Sequence, residues 1–288
     1  MNGLAAKIID GKAVAAKVKE EVKAACAKLK EERGLIPKLV VIQVGDMGPS
    51  TIYVRNKKKA CEQVGIESEI WHLPDTITQD ELLDKIEKCN QDDSIHGVLV
   101  QLPLPAHLDE TACTNAISPD KDVDGFHPVN VGRMLAGQET FIPCTPAGIM
   151  RLLDEYEVPL DGASCVVIGR SNIVGKPMAV QLLERNATVT VCHSHTRDLP
   201  SVTSQADILV SAVGKAHFVT PAFVKPGAVV IDVAMNRDEN GKLCGDVEFE
   251  KVSEIASAIT PVPGGVGPMT VAQLMSNCLL AARRNYQL

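Results

Sequence analysis

The chain has no CxxC pair, no low-complexity tract, no short-period repeat and no GxxxxGK[ST] loop. It also lacks any apolar run of the about 18 residues that a membrane-crossing helix needs. Nine cysteines are present (Cys26, Cys61, Cys89, Cys113, Cys144, Cys165, Cys192, Cys244 and Cys278), but they are scattered and odd in number. That pattern argues against a disulfide framework or a zinc knuckle and for reduced thiols in a cytoplasm. A basic excess is missing too. With a formal net charge of −7, the protein lacks the surplus of Lys and Arg that a general nucleic-acid or anionic-membrane binder uses to neutralise phosphates. The opening "MNGLAAKIIDGKAVAAK" has neither a signal-peptide apolar core nor an Arg/Ser-rich transit character, so no export is expected.

What is there is a chain of 288 residues, 45% hydrophobic, long enough for two domains. Val14, Val18, Val22, Ala25 and Leu29 recur at helical spacing and Gly34 follows as a C-cap, which predicts a helix over 11–33. Strand-like "KLVVIQVG", "IESEIWHL" and "GVLVQLPLP" then alternate with helices over about 51–64 and 78–89. The second half repeats the alternation. Thr145 and Pro146 are placed to start a helix running to about Tyr156. "ASCVVIG", "ATVTVC", "ADILVSAVG" and "GAVVIDVAM" read as strands, with a helix from about Val174 to Arg185 between the first two. Asn240-Gly241 signals a hairpin, and Thr270 with Gln273 fits a capping box at the start of a last amphipathic helix. Alternation of this kind predicts an α/β protein with parallel strands covered by helices. Regular patterning lapses in "GRMLAGQETFIPCTP", the expected domain boundary.

The strand "SCVVIG" runs into "GRSNIVGKPMAVQLL", so Gly169, Ser171 and Gly175 form a turn opening a helix. Such a turn can deliver backbone N–H groups and a positive helix end to a pyrophosphate. Ser171 stands where the dinucleotide fingerprint has its second Gly, and an ordinary strand-to-helix connection fits as well. The next strand ends in His193, Ser194 and His195 rather than in the acid that holds the ribose of NAD, and Arg170 lies in the preceding turn. These features favour a 2′-phosphate, hence NADP.

In the first half, Tyr53 and Lys57 are four residues apart and share a helix face, flanked by Arg55, Lys58 and Lys59. A solvated basic helix would look the same. Gln101 is a lone amide near the end of an apolar strand, where open α/β sheets bind ligands. Asp120, Asp122 and Asp124 share a Pro/Gly loop; a carboxylate there could accept two N–H bonds from a planar, amidine-like ligand. A cation is the weaker choice, because no Glu follows at the EF-hand distance, so no metal is expected.

Taken together, "YVRNKKKACEQVGI", "GVLVQLPLP", "PDKDVDGFHPVNVGR", "FIPCTPAGI", "VVIGRSNIVGKPM" and "ITPVPGGVGPMTVAQLM" resemble the bifunctional methylenetetrahydrofolate dehydrogenase/methenyltetrahydrofolate cyclohydrolase family, in the family's order and over nearly the whole chain. The resemblance implies NADP-dependent oxidation of 5,10-methylenetetrahydrofolate and hydrolysis of the methenyl product to 10-formyltetrahydrofolate, by a homodimer. It implies two α/β domains flanking a cleft: 1–143 plus 268–288 as the folate-binding domain and 144–267 as a Rossmann-like NADP domain. It makes Lys57 the central catalytic residue, with Tyr53 stacking on the folate, Gln101 tuning Lys57 and Asp124 binding the pterin. Val100, Leu102 and the loop Pro263, Gly264, Gly265, Val266 and Gly267 become substrate contacts. Gly169, Arg170, Ser171, Gly175, Ser194 and Met235 become cofactor contacts. At "IDVAMNR" the chain departs from the family's usual Gly-Ile with Ala234 and Met235.

Two physical expectations accompany this reading. A neutral Lys57 amine held by Gln101 would serve as the base for hydrolysis. The glycines of "ITPVPGGVGPMT" would let backbone approach flat rings while its prolines hold the loop rigid, so that Gly265→Val would harm binding more than stability. The competing readings are a dehydrogenase acting on another small substrate and a non-catalytic nucleotide-binding protein. Neither explains Tyr53, Lys57, Gln101 and Asp124 together.

Overall fold

A computed structural model describes residues 6–45 and 48–285, with the side chains of 48–53 and 285 outside that description. In chain order the elements are β1 (Lys7–Ile8), α1 (Gly11–Arg33), β2 (Lys38–Val44), α2 (Gly48–Val64), β3 (Glu67–Leu73), α3 (Gln79–Gln91), β4 (Gly97–Val100), α4 (Glu110–Ala116), α5 (Pro128–Leu135) and α6 (Cys144–Glu155). There follow β5 (Ser164–Ile168), α7 (Gly175–Leu183), β6 (Thr188–Cys192), α8 (Leu199–Thr203), β7 (Ile208–Ser211), β8 (Val229–Asp232), β9 (Asn236–Arg237), β10 (Leu243–Cys244), α9 (Phe249–Ser253), β11 (Ala258–Ile259) and α10 (Val266–Asn285).

The chain separates into two compact units. One comprises Ala16–Cys144 and the residues from Val271 onward; the other comprises Thr145–Thr270 with the N-terminal residues through Ala15. The expected division had kept all of 1–143 together. The structure sends the first residues to the other unit because β1 pairs in parallel with β11, Lys7 opposite Ala258. A two-residue strand is too short to leave an alternation in the sequence.

The first unit holds a three-stranded parallel sheet in the order β3-β2-β4. Its middle strand reads as a continuous apolar run, and Leu39 to Ile42 are fully buried, as a strand covered on both faces requires. Leu82, Ile86 and Cys89 of α3 bury against Val40, Ile42, Val98 and Val100. The start of α3 is fixed by a capping box: Glu81 N donates to Thr78 Oγ1, and Thr78 N donates to Glu81 Oε2.

The end of α3 is held by a residue that no local pattern picks out. Lys121 is buried, and its Nζ donates to the carbonyls of Cys89 (2.9 Å), Asn90 (2.8 Å) and Asp92 (2.7 Å). A cation here satisfies carbonyls that lack helical partners and complements the negative helix end.

The second unit is a six-stranded sheet in the order β1-β11-β8-β7-β5-β6, parallel throughout. Val166, Ile168, Leu209, Val230 and Ile259 form its core. Because β6 flanks β5 on one side and β7 on the other, the sheet has a topological switch point at the carboxyl ends of β5 and β7. The Asn240-Gly241 turn joins antiparallel β9 and β10, as its dipeptide predicts.

Two helix starts differ from expectation. Helix α6 begins at Cys144, and α10 begins at Val266, which places Thr270 and Gln273 inside α10 and Gly267 and Pro268 in its first turn. The Thr145 and Thr270 hydroxyls face each other at 3.0 Å instead of capping. No helix among the described residues is long and apolar enough to cross a membrane.

Trp71, the chain's single tryptophan, lies on β3 and makes fluorescence a probe of the three-stranded unit alone. Lys121→Met should lower that unit's stability by about 2 kcal/mol, the scale of losing hydrogen bonds from a charged group while leaving carbonyls unsatisfied. An unchanged denaturant midpoint for Trp71 fluorescence would contradict this role for Lys121.

Candidate functional site

In the three-stranded unit, β4 ends at Val100 and Gln101 continues its ladder by one bond, its N–H donating to the Ile42 carbonyl at 2.9 Å. The Gln101 amide is thus set at the carboxyl end of the strand. Its Nε2 donates to the Leu102 carbonyl at 2.7 Å, which leaves Oε1 as the free end. Lys57 Nζ donates to that oxygen at 3.0 Å. Helix α2 delivers the lysine: Val54, Ala60, Cys61 and Val64 are buried, Arg55 and Lys59 are exposed, and Lys57 lies half-buried at the margin. Tyr53 is one turn earlier on α2, but its side chain lies outside the described residues.

The three aspartates separate by role. Asp120 is exposed and lies 3.7 Å from Arg133. Asp122 is buried, and its Oδ2 accepts from His127 N (2.8 Å) and Asn130 Nδ2 (2.9 Å), so it folds the loop. Asp124 remains part-exposed as a residue. Burial of its carboxyl group pushes its pKa up to about 6, while the Lys57 charge pulls it down and Asp122 pushes it further up. Lys57, Gln101 and Asp124 therefore form one electrostatically coupled group.

Behind Asp124 is a support missed in the sequence. Asn277, buried on α10, donates through Nδ2 to the carbonyls of Val123 (2.8 Å) and Ile142 (3.2 Å). Cys144 Sγ lies 3.5 Å from the Val123 carbonyl and 4.0 Å from Asp124 Oδ1. A polar residue on the apolar face of α10 was the available signal. Val100, the chain neighbour of Gln101, is buried, and Leu102, the neighbour on its other side, is half-buried.

In the six-stranded unit, Gly169 ends β5 with φ 125°. A Cβ on it would come within 2.5 Å of the Ala212 carbonyl, and one on Gly175 would strike the Gly169 carbonyl. Both glycines are required for the strand end, the opening of α7 and the end of β7 to meet. Ser171 Oγ accepts from Val174 N (3.2 Å) and Gly175 N (3.3 Å), so the residue that replaces the fingerprint's second Gly ties the turn to the first residues of α7. Arg170, Ser194 and His195 are exposed, and His193 is half-buried with its Nδ1 accepting from His195 N. Met235 is exposed beyond β8.

The loop before α10 corrects one expectation. Gly264 and Gly265 are buried, whereas Pro263 and Gly267 are exposed. A Cβ on Gly265 would lie 2.7 Å from both the Pro261 carbonyl and Thr260 Cβ, so this glycine is demanded by the loop's own packing. Gly265→Val would strain the loop itself, and separating binding from stability there is not expected. A cavity of about 640 Å³ borders the same loop within this unit, lined by Pro261, Val262, Pro263, Asp232 and His217 among others.

Asp232 and Asp246 are further functional candidates that local patterning did not single out. Both are buried near the carboxyl ends of β7 and β8. Burial pushes Asp232 up to about 7 against the pull of backbone N–H donors. Among the described residues, no group of three or more His, Cys, Asp or Glu is arranged to hold a metal ion. All nine cysteines are free and buried.

Residues 9–124 match the tetrahydrofolate dehydrogenase/cyclohydrolase catalytic domain, and residues 143–286 match the NAD(P)-binding domain of the same family. The bifunctional protein FolD of Streptococcus pneumoniae serotype 4 is 61% identical over 278 residues, spanning 96% of this chain and 98% of its own. The bifunctional FolD methylenetetrahydrofolate dehydrogenase/cyclohydrolase of Campylobacter jejuni superposes with a TM-score of 0.95 at 51% identity, over 97% of this chain and 99% of that one. The Trypanosoma brucei methylenetetrahydrofolate dehydrogenase-cyclohydrolase, solved with NADP cofactor and an inhibitor, superposes with a TM-score of 0.94 at 38% identity, over 99% of this chain and 100% of that one.

The electrostatic coupling can be measured directly. By carboxyl ¹³C NMR, Asp124 should titrate at about 6, and in Lys57→Met at a higher pH, because the stabilising cation is gone. A downward or absent shift in the variant would contradict the arrangement.

Proposed function

The chain belongs to the tetrahydrofolate dehydrogenase/cyclohydrolase family, and from that premise we propose that Lys57, Gln101 and Asp124 carry its chemistry. The enzyme oxidises 5,10-methylenetetrahydrofolate to the 5,10-methenyl form with NADP and hydrolyses that product to 10-formyltetrahydrofolate. The observation that carries the assignment of residues is the 3.0 Å bond from Lys57 Nζ to Gln101 Oε1, with Asp124 electrostatically coupled to the same lysine.

Loss of hydride leaves a cationic methenyl bridge, so the site must accept developing positive charge without trapping it on a close anion. Tyr53 supplies an aromatic face for that bridge. Asp124, ionised above about pH 6, accepts N–H bonds from the pterin and orients it. For hydrolysis, water attacks the bridge carbon as Lys57 Nζ in its neutral form takes the water's first proton. When the bond from that carbon to the ring nitrogen breaks, the same amine protonates the nitrogen and the remaining hydroxyl proton leaves to solvent as the formyl C=O forms. Gln101 acts by holding Nζ in place. Val100 and Leu102 add to the folate contacts of the three-stranded unit; Pro263, Gly264, Gly265, Val266 and Gly267 are substrate contacts only as the family resemblance implies them.

The six-stranded unit fits NADP. The Gly169–Gly175 turn leads into the start of α7, whose positive helix end suits a pyrophosphate, Arg170 and Ser194 are exposed to meet a 2′-phosphate, and no carboxylate stands at the end of β6 to repel it. When bound, NADP supplies the hydride acceptor. Gly169, Arg170, Ser171, Gly175 and Ser194 would hold its pyrophosphate and adenosine end, and Met235 would contact its other half. A homodimer working in the cytoplasm completes the reading; nine free thiols suit a reducing compartment.

The protein mixed with methylenetetrahydrofolate and either NADP or NAD should produce reduced nicotinamide and methenyl absorbance, faster with NADP. Absence of turnover with both cofactors would overturn the assignment. Lys57→Met should lower methenyl hydrolysis by at least about a hundredfold with the fold intact by circular dichroism; wild-type hydrolysis in this variant would remove Lys57 from the mechanism.

A further inference from the structure

Asp246 is fully buried, and its carboxylate accepts four hydrogen bonds. Oδ2 takes Ser211 Oγ (2.9 Å) and Val213 N (2.8 Å), while Oδ1 takes Lys215 N (2.8 Å) and Asn236 Nδ2 (3.0 Å). Asp246 is fixed in turn by Asp232, the last residue of β8, whose two carboxylate oxygens accept from Asp246 N and Val247 N at 2.9 Å each. The backbone N of Asp232 donates to Thr260 Oγ1 at 2.7 Å.

The donors come from particular places. Ser211 ends β7, and Val213 and Lys215 lie in the segment after it; Asn236 opens β9 in the segment that follows β8, next to Met235. The Ala212 carbonyl within the first segment is the group that faces Gly169 across the switch point. In a doubly wound sheet the adenosine half of a dinucleotide lies toward the second strand, here β6, and the other half toward the strands across the switch, here β7 and β8. One carboxylate thus sets the backbone of both segments on that second side.

We propose that Asp246 is a positioning residue for the nicotinamide half of NADP, holding the segments after β7 and β8 in the shape that half binds. The inference rests on NADP being the cofactor. Replacement by Asn separates position from bulk. An amide presents one oxygen and one NH₂, so whichever way it turns, either Val213 N–H or Lys215 N–H faces a donor and is left unpaired in a buried site.

The test is equilibrium binding by calorimetry, with two ligands. For Asp246→Asn, the dissociation constant of NADP should rise by about fivefold or more, the scale of one orphaned buried donor. That of adenosine 2′,5′-bisphosphate, which carries only the adenosine half, should stay within about twofold of wild type. An unchanged NADP constant overturns the proposal, and so does equal weakening of both ligands, which would mark general damage to the unit. If Asp246→Asn fails to fold, Asn236→Ala decides: it removes one donor and leaves the backbone ties, and should weaken NADP while sparing the bisphosphate. Wild-type protein that binds the bisphosphate but gains nothing from the nicotinamide half would sink this inference alone; binding of neither ligand would sink the cofactor reading beneath it.

Discussion

The hydrogen bond between Lys57 Nζ and Gln101 Oε1 depends on several levels of the fold at once. Strand β4 must end where it does for the amide to sit at a carboxyl edge. The amide nitrogen, Nε2, must donate to the Leu102 carbonyl for the oxygen to face the lysine. Helix α2 must bury Val54, Ala60, Cys61 and Val64 so that Lys57 comes to the margin. Displacing any of these would leave the amine to find its own rotamer, and a reacting group misplaced by about 1 Å can lose about a hundredfold in rate.

Around that bond the electrostatics are balanced rather than saturated. Asp124 feels Lys57, yet desolvation outweighs the attraction and leaves the carboxyl at about 6. A carboxylate so placed is charged at neutral pH, and among the described residues it meets the weak donor Cys144 Sγ at 4.0 Å, unlike Asp122, whose oxygen is committed to His127 and Asn130. The same contrast recurs in the six-stranded unit. Asp246 is consumed by four donors and shapes backbone, whereas Arg170 and Ser194 are left exposed. Both units use the carboxyl ends of parallel strands, where loops can vary while the sheet stays fixed.

Features written in local chemistry were legible in the sequence: α1 with its Gly34 cap, the Thr78 start of α3, the Asn240-Gly241 hairpin, the alternation of strands and helices, and the turn from Gly169 to Gly175. Gln101 stood out as a lone amide in an apolar strand and Asp124 as one of three aspartates in a Pro/Gly loop, while Lys57 lay on a helix that reads equally as a solvated basic face; the family resemblance singled the three out together. What escaped depends on partners distant in the chain. Thr270 resembles a cap in sequence, but its hydroxyl faces Thr145, and α10 already runs from Val266. Lys121 looks like any loop lysine until the end of α3 folds over it. Asn277, Asp232 and Asp246 are ordinary polar letters whose donors and acceptors lie in other segments. Gly265 looked like an accommodation for a ligand, and the structure gives it a nearer reason in Thr260 and Pro261.

The central claim is that Gln101 acts through Lys57. A double-mutant cycle on methenyl hydrolysis, with Lys57→Ala, Gln101→Ala and the pair, tests it most directly, because residues that act as a unit are strongly non-additive. The account predicts that the double variant is no slower than Lys57→Ala alone. Losses that multiply, with the double variant slower than Lys57→Ala by the full factor of Gln101→Ala, would contradict it.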